Sequence, residues 1–92
     1  MSLKHLNIRV TGRVQGVSFR YYTQLKAQDL GLTGFVRNQA DGSVYVEAEG
    51  EESLLKSLVD WCYEGSPMAK VQQVEVVELP ILQHFSDFQV HY

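Results

Sequence analysis

His5-Leu6-Asn7-Ile8-Arg9-Val10-Thr11 runs without a break into Gly12-Arg13-Val14-Gln15-Gly16-Val17-Ser18-Phe19-Arg20, and the hydrophobic period changes between them. In the first part Leu6, Ile8 and Val10 fall on one parity and Asn7, Arg9 and Thr11 on the other, which predicts a half-buried strand. From Phe19 to about Leu30 the spacing becomes helical. Phe19, Tyr22, Leu25 or Lys26, and Leu30 approximate one face, and Gly31 is a good stop. Between strand and helix lies a loop bracketed by Gly12 and Gly16, with Arg20 at the helix mouth. The N–H groups of a helix N-terminus have no partner inside the helix, and the dipole favours negative charge there. A guanidinium adds a fixed fork of donors that matches phosphate oxygens. The segment therefore reads as a strand, an anion-holding loop and a helix.

Thr33 to Asn38 reads as a second strand, and Asp41-Gly42 supplies a hairpin turn. Ser43 to Glu49 alternates, with Val44, Val46 and Ala48 inward and Tyr45, Glu47 and Glu49 outward. Glu51 and Glu52 open a second helix, where acids suit the positive end of the dipole. Leu54, Leu55, Leu58, Trp61 and Cys62 give that helix one apolar face, and Gly65-Ser66-Pro67 ends it. Val71 to Leu79 is strand-like, with Val76-Val77 blurring the alternation as a bulge or twist would. Phe85 to Tyr92 is a last strand, with Phe88, Val90 and Tyr92 on one parity. The order β-α-β-β-α-β predicts an α+β, ferredoxin-like sandwich over residues 1–92, with two helices on one face of a four-stranded antiparallel sheet. In that order the first and third strands form the central pair.

The 92 residues suit one small domain with a thin core and a stability on the order of 5 kcal/mol. No run approaches the roughly 20 apolar residues of a membrane span. The segment after Leu6 alternates where a leader would carry an apolar run, so no secretory signal is expected. Cys62 is the only cysteine and can form no intramolecular disulfide, which fits a reducing, cytoplasmic setting. His5, His84 and His91 have no metal-ligand spacing with one another or with Cys62. Cys62 on an apolar helix face reads as a buried structural thiol.

The net charge of −3 conceals an asymmetry. Residues 1–40 hold six basic residues and one acid; residues 41–92 hold two basic residues and ten acids. All four arginines lie in the half that contains the loop. A local positive field in an acidic chain suits a small anionic ligand and argues against a nucleic-acid backbone, which needs a basic face. RNA-recognition modules share this element order, but Glu47 and Glu49 on the outer face would repel phosphates. An ordinary scatter of surface charge is the plain alternative.

Gly12-Arg13-Val14-Gln15-Gly16-Val17-Ser18-Phe19-Arg20 resembles the first acylphosphatase signature, glycine-x-Val-Gln-Gly-Val-x-Phe-Arg, at every fixed position. Gly34-Phe35-Val36-Arg37-Asn38, followed by Gly42, Val44 and Gly50, resembles the second at matching spacing. The likeness covers nearly the whole chain. It implies hydrolysis of small acyl phosphates without metal or organic cofactor. It also implies that Arg20 and the amides of the loop Val14, Gln15, Gly16, Val17, Ser18 and Phe19 bind the phosphoryl group, and that Asn38 orients the attacking water. The tail departs from the family, which often has an arginine near His91.

That minimal equipment is chemically sufficient. The leaving carboxylate has a conjugate acid of pKa about 4 to 5, so it departs without a general acid. Phosphoryl transfer is mostly positioning and charge stabilisation. Gln15 reads as a loop-shaping residue that need not touch substrate, Arg13 and Arg37 as surface charges, and Asp41 as hairpin chemistry. Ser18 occupies the variable signature position and is not read as a nucleophile. The reading is a monomeric acyl-phosphate hydrolase that binds neither nucleic acid nor membrane. The alternatives are a non-catalytic anion-binding or regulatory module on the same scaffold, and the RNA-binding module. Taken singly, Gly12 and Gly16 could be turn glycines, Arg20 a solvated helix residue and Asn38 a strand cap.

Overall fold

The computed structural model describes residues 2–92. Its elements are β1 (Leu3–Arg13), α1 (Phe19–Asp29), β2 (Thr33–Asn38), β3 (Val44–Glu51), α2 (Glu52–Glu64), β4 (Lys70–Leu79) and β5 (Phe88–His91). The strands form one sheet in the order β4-β1-β3-β2-β5. β1 and β3 are central, as the element order predicts, with Ile8 opposite Val46 and Val10 opposite Val44. The alternation of these strands sends Ile8, Val10, Val36, Val44, Val46 and Ala48 to one face, where all are buried. From α2, Leu55, Leu58 and Cys62 meet that face at helical spacing.

The sheet has five strands and is mixed, not four-stranded and antiparallel. β5 lies parallel to β2, with Val36 opposite Val90. After β4 the chain stands at one edge of the sheet and crosses its outer face to reach the other. There Phe88–His91 satisfies the N–H and C=O groups that β2 would otherwise leave open. The register shift in the β1–β4 pair lies between Thr11 and Gly12, not at Val76-Val77. The buried positions of α1 are Phe19, Thr23 and Ala27; Tyr22 and Leu25, expected inward, are exposed. Small side chains at i+4 spacing let this helix approach the sheet. Gln24 and Gln28 donate from its flank to the Phe88 carbonyl (3.3 and 3.4 Å).

The crossing segment also accounts for Glu49, expected outward and in fact buried. Its carboxylate accepts from the Gln83 and Phe85 N–H groups. Beside it His5, also buried, faces two acceptors: the Ile81 carbonyl from Nδ1 and the Glu47 carboxylate from Nε2, each at 2.8 Å. Tyr45 Oη donates to the other Glu47 oxygen (2.8 Å). Burial pulls the His5 pKa down, but the Ile81 carbonyl and the Glu47 and Glu49 carboxylates outweigh it, and the net shift is upward from 6.5. A raised folded-state pKa gives stability that is complete below the unfolded value and is lost as pH rises through the folded one. The urea midpoint is therefore expected to fall as pH rises above about 6.5. In His5→Gln that fall flattens, which unfolding curves from about pH 6 to about pH 9 will test. Equal pH slopes in both proteins would contradict this.

Candidate active site

The loop after β1 turns sharply at Gly16 (φ 73°) and at Ser18 (φ 61°, ψ 24°) before entering α1. Glycine tolerates positive φ without steric cost; serine does not, so Ser18 is held there by its surroundings. Two contacts do the holding. Ser66, just past α2, donates from Oγ to the Val17 carbonyl (2.7 Å). Phe19 packs under the loop against Trp61 at 5.3 Å between ring centroids. At the other end Gly12, at φ 121°, lies so close to the Lys70 carbonyl that a Cβ would overlap it.

The Ser18 side chain makes no capping bond to α1. Among the described residues no carbonyl accepts from the N–H groups of Gly16 to Phe19. Beside them lies a cleft of about 700 Å³. Val14, Gly16, Ser18, Phe19 and Arg20 line its one side, and Asn38 lines it from the end of β2. Alternation along β2 places Asn38 on the same face as buried Gly34 and Val36, which is the face that α1 covers. Sequence reading could not establish that meeting of Asn38 with the loop, because it depends on the packing of α1 across β2.

Among the described residues Arg20 carries the only charged side chain lining the cleft. It donates from Nη1 to the His91 carbonyl (3.1 Å), and its guanidinium lies 4.6 Å from the centre of the Tyr92 ring. The tail thus braces the guanidinium at the cleft while leaving further N–H groups for an anion. Asn38 Oδ1 is a buried acceptor with no donor among the described residues. Buried polar atoms are rarely left unpaired, and an exception at a cleft marks a place where a polar group binds.

Of the loop residues read from sequence, Gln15 and Val17 do not line the cleft. Gln15 instead donates from Nε2 to the Gln39 and Ser43 carbonyls (2.7 and 2.8 Å). Arg13 is exposed away from the cleft. Arg37 lies over the Tyr45 ring on the outer face. Asp41 accepts from the Ser43 N–H (2.9 Å) and from Arg9 (2.6 Å), as a hairpin residue. Cys62 is buried, and burial pushes its thiol up to about 12, so it is no nucleophile at neutral pH. Sequence reading missed Tyr21, Gln24, Gln89, Val90 and Tyr92 as cleft residues. Gln24 lies one helical turn beyond Arg20 on α1, and Tyr21 lies beside Arg20 in the first turn. Gln89 and Val90 carry no local signal, because their place depends on β5 pairing with β2. Among the described residues no three His, Cys, Asp or Glu side chains gather as a metal-binding group, and no helix is long and apolar enough to cross a membrane.

This fold has counterparts. The acylphosphatase family model matches residues 6–90. An acylphosphatase from Marinobacter nauticus is 48% identical over 89 residues, 97% of each chain. The crystal structure of an acylphosphatase from Bacillus subtilis superposes with a TM-score of 0.94 at 42% identity, covering 99% of this chain and 100% of that one. A solved structure of an acylphosphatase from Coxiella burnetii gives a TM-score of 0.93 at 38% identity, covering 97% of this chain and 93% of that one. A sequence match over nearly the full length, with the same fold and the loop and Asn38 gathered at one cleft, makes this chain a member of the acylphosphatase family.

Proposed function

We propose that the chain hydrolyses small acyl phosphates at the cleft between the Gly12–Arg20 loop and Asn38, splitting the carboxyl–phosphate bond into carboxylate and phosphate. The observation that carries this reading is the meeting of unpaired loop amides, one guanidinium and a buried, unpaired Asn38 oxygen around a single cleft. The phosphoryl oxygens sit against the amides of Gly16 to Phe19 and the Arg20 fork, where the helix dipole adds to the field. Water donates one hydrogen bond to Asn38 Oδ1 and is held in line with the phosphorus. As its oxygen bonds to phosphorus, the P–O bond to the acyl group breaks and the electron pair leaves with the carboxylate. Asparagine is no base at neutral pH, so the water's proton passes to a phosphate oxygen of the substrate.

Benzoyl phosphate hydrolysis, followed in the presence of a chelator, tests this. Asn38→Ala is expected to lose on the order of 10²-fold in kcat while inorganic phosphate still inhibits, because orientation is lost and the anion cradle is not. A wild-type protein that binds phosphate without turnover would favour the binding-module reading. A pH–rate profile set by an enzyme base would remove the substrate-assisted proton transfer. The same reading places the protein as a cytoplasmic monomer with a small-molecule substrate, in keeping with its single buried cysteine.

A further inference from the structure

The unpaired Asn38 oxygen is useful only if it stands at a fixed distance from the anion cradle, yet the two lie on different parts of the chain. The loop is anchored on one side through Val17 to Ser66. Asn38 sits at the mouth of the β2–β3 hairpin, which is closed by the Gln39 N–H donating to the Ser43 carbonyl (2.9 Å) and the Gly42 N–H donating to the Gln39 carbonyl (3.1 Å). The far side of that hairpin is tied to the sheet by Asp41, which accepts from the Ser43 N–H (2.9 Å), Ser43 Oγ (2.6 Å) and Arg9 (2.6 Å). Among the described residues only two hydrogen bonds join residues 14–20 to residues 38–43. Both come from Gln15 Nε2, to the carbonyls of Gln39 and Ser43 at 2.7 and 2.8 Å.

Building on the hydrolase reading, we propose that Gln15 is a positioning residue for the hydrolytic water: its side-chain amide clamps the Asn38 hairpin to the anion loop and sets the gap between them. The residue type fits the task. One NH2 group offers two hydrogens to two carbonyls, and Gln39 is the residue directly after Asn38. A carboxylate of the same shape would set oxygen against oxygen. Because Gln15 does not line the cleft, its effect reaches the reaction through Asn38 and not through the phosphoryl group.

The test compares wild type, Gln15→Met, Gln15→Glu, Asn38→Ala and the double variant Gln15→Met/Asn38→Ala. It measures kcat and KM on benzoyl phosphate, inhibition by inorganic phosphate, and circular dichroism to confirm folding. Gln15→Met is expected to lower kcat about 10- to 100-fold with phosphate inhibition changed less than about twofold. The double variant should be no slower than Asn38→Ala by more than about twofold, since a clamp on a missing group has nothing left to position. Gln15→Glu should regain part of its kcat as pH falls and its carboxyl takes up a proton to donate. Multiplicative losses in the double variant, or phosphate inhibition weakening in step with kcat, would overturn the proposal and make Gln15 a support of the cradle alone. So would failure of both Gln15→Met and Gln15→Glu to fold. An inactive wild type would overturn the hydrolase reading itself, and the clamp with it; an active wild type with multiplicative losses would overturn only the clamp.

Discussion

Arg20→Ala is expected to lower kcat/KM for benzoyl phosphate by about 10³-fold, equivalent to about 4 kcal/mol of transition-state stabilisation, while the fold stays intact. The size follows from isolation. Among the described residues Arg20 carries the only charged side chain lining the cleft, so no cationic side chain among them takes over when it is removed. In phosphoryl transfer an arginine facing the transferred group acts almost wholly through charge and geometry, which are the two things alanine lacks. Inhibition by inorganic phosphate should weaken in the same variant, because the ground-state dianion uses the same fork. This separates Arg20 from Asn38, whose loss is expected to leave phosphate binding in place. The cost to stability should be small, within about 1 kcal/mol. Arg20 gives up one hydrogen bond to the His91 carbonyl and its contact with the exposed Tyr92 ring, both at the surface. Arg20→Lys restores charge but not the fork and should recover only part of the rate. A folded Arg20→Ala protein within about fivefold of wild type would remove Arg20 from the chemistry.

The legibility of this site in the sequence has a physical cause. The anion loop is contiguous: its two glycines, the strand before it and the helix after it all lie between Leu3 and Asp29, and each acts through local backbone geometry. Asn38 is one residue, but strand alternation already puts it on the helix-covered side of β2. What the sequence does not carry is the choice among long-range pairings. The segment Phe88–His91 is strand-like in any arrangement, and nothing in its residues says that it joins β2 in parallel at the far edge. Its cleft residues Gln89 and Val90 were invisible for that reason.

Glu49 and α1 fail differently. By parity Glu49 belongs on the outer face, and it is there; the error was to equate that face with solvent. The crossing segment covers it and supplies the Gln83 and Phe85 N–H groups that make a buried carboxylate tolerable. In α1 the bulkiest apolar side chains, Tyr22 and Leu25, drew the predicted face toward themselves. The helix instead turns Thr23 and Ala27 inward, where small side chains permit close approach and the Thr23 hydroxyl donates to the Phe19 carbonyl at 2.8 Å. Gln15 was legible as a loop-shaping residue, but its partners Gln39 and Ser43 lie 24 and 28 residues away. Only the fold identifies them.

Two leucines turn this contrast into numbers. Leu58→Ala is expected to destabilise the protein by about 2–5 kcal/mol, and Leu25→Ala by less than about 1 kcal/mol. The residues removed are chemically identical; only their surroundings differ. Leu58 is fully buried on α2, between Leu55 and Cys62 on the face that packs onto β1, β3 and β4. Its truncation forfeits the transfer free energy of three carbons and leaves a void that a sheet of paired strands cannot collapse to fill. Leu25 stands on the outer side of α1 and is 43% exposed, so alanine there gives up little burial, and its helix propensity offsets part of the loss. Against a total on the order of 5 kcal/mol for a chain this small, the Leu58 variant is left close to the folding threshold. Urea unfolding reads both values, provided the m-value holds between variants. A Leu58→Ala cost below about 0.5 kcal/mol would mean that α2 presents another face to the sheet. A Leu25→Ala cost above about 2 kcal/mol would restore the helical face that the sequence suggested for α1.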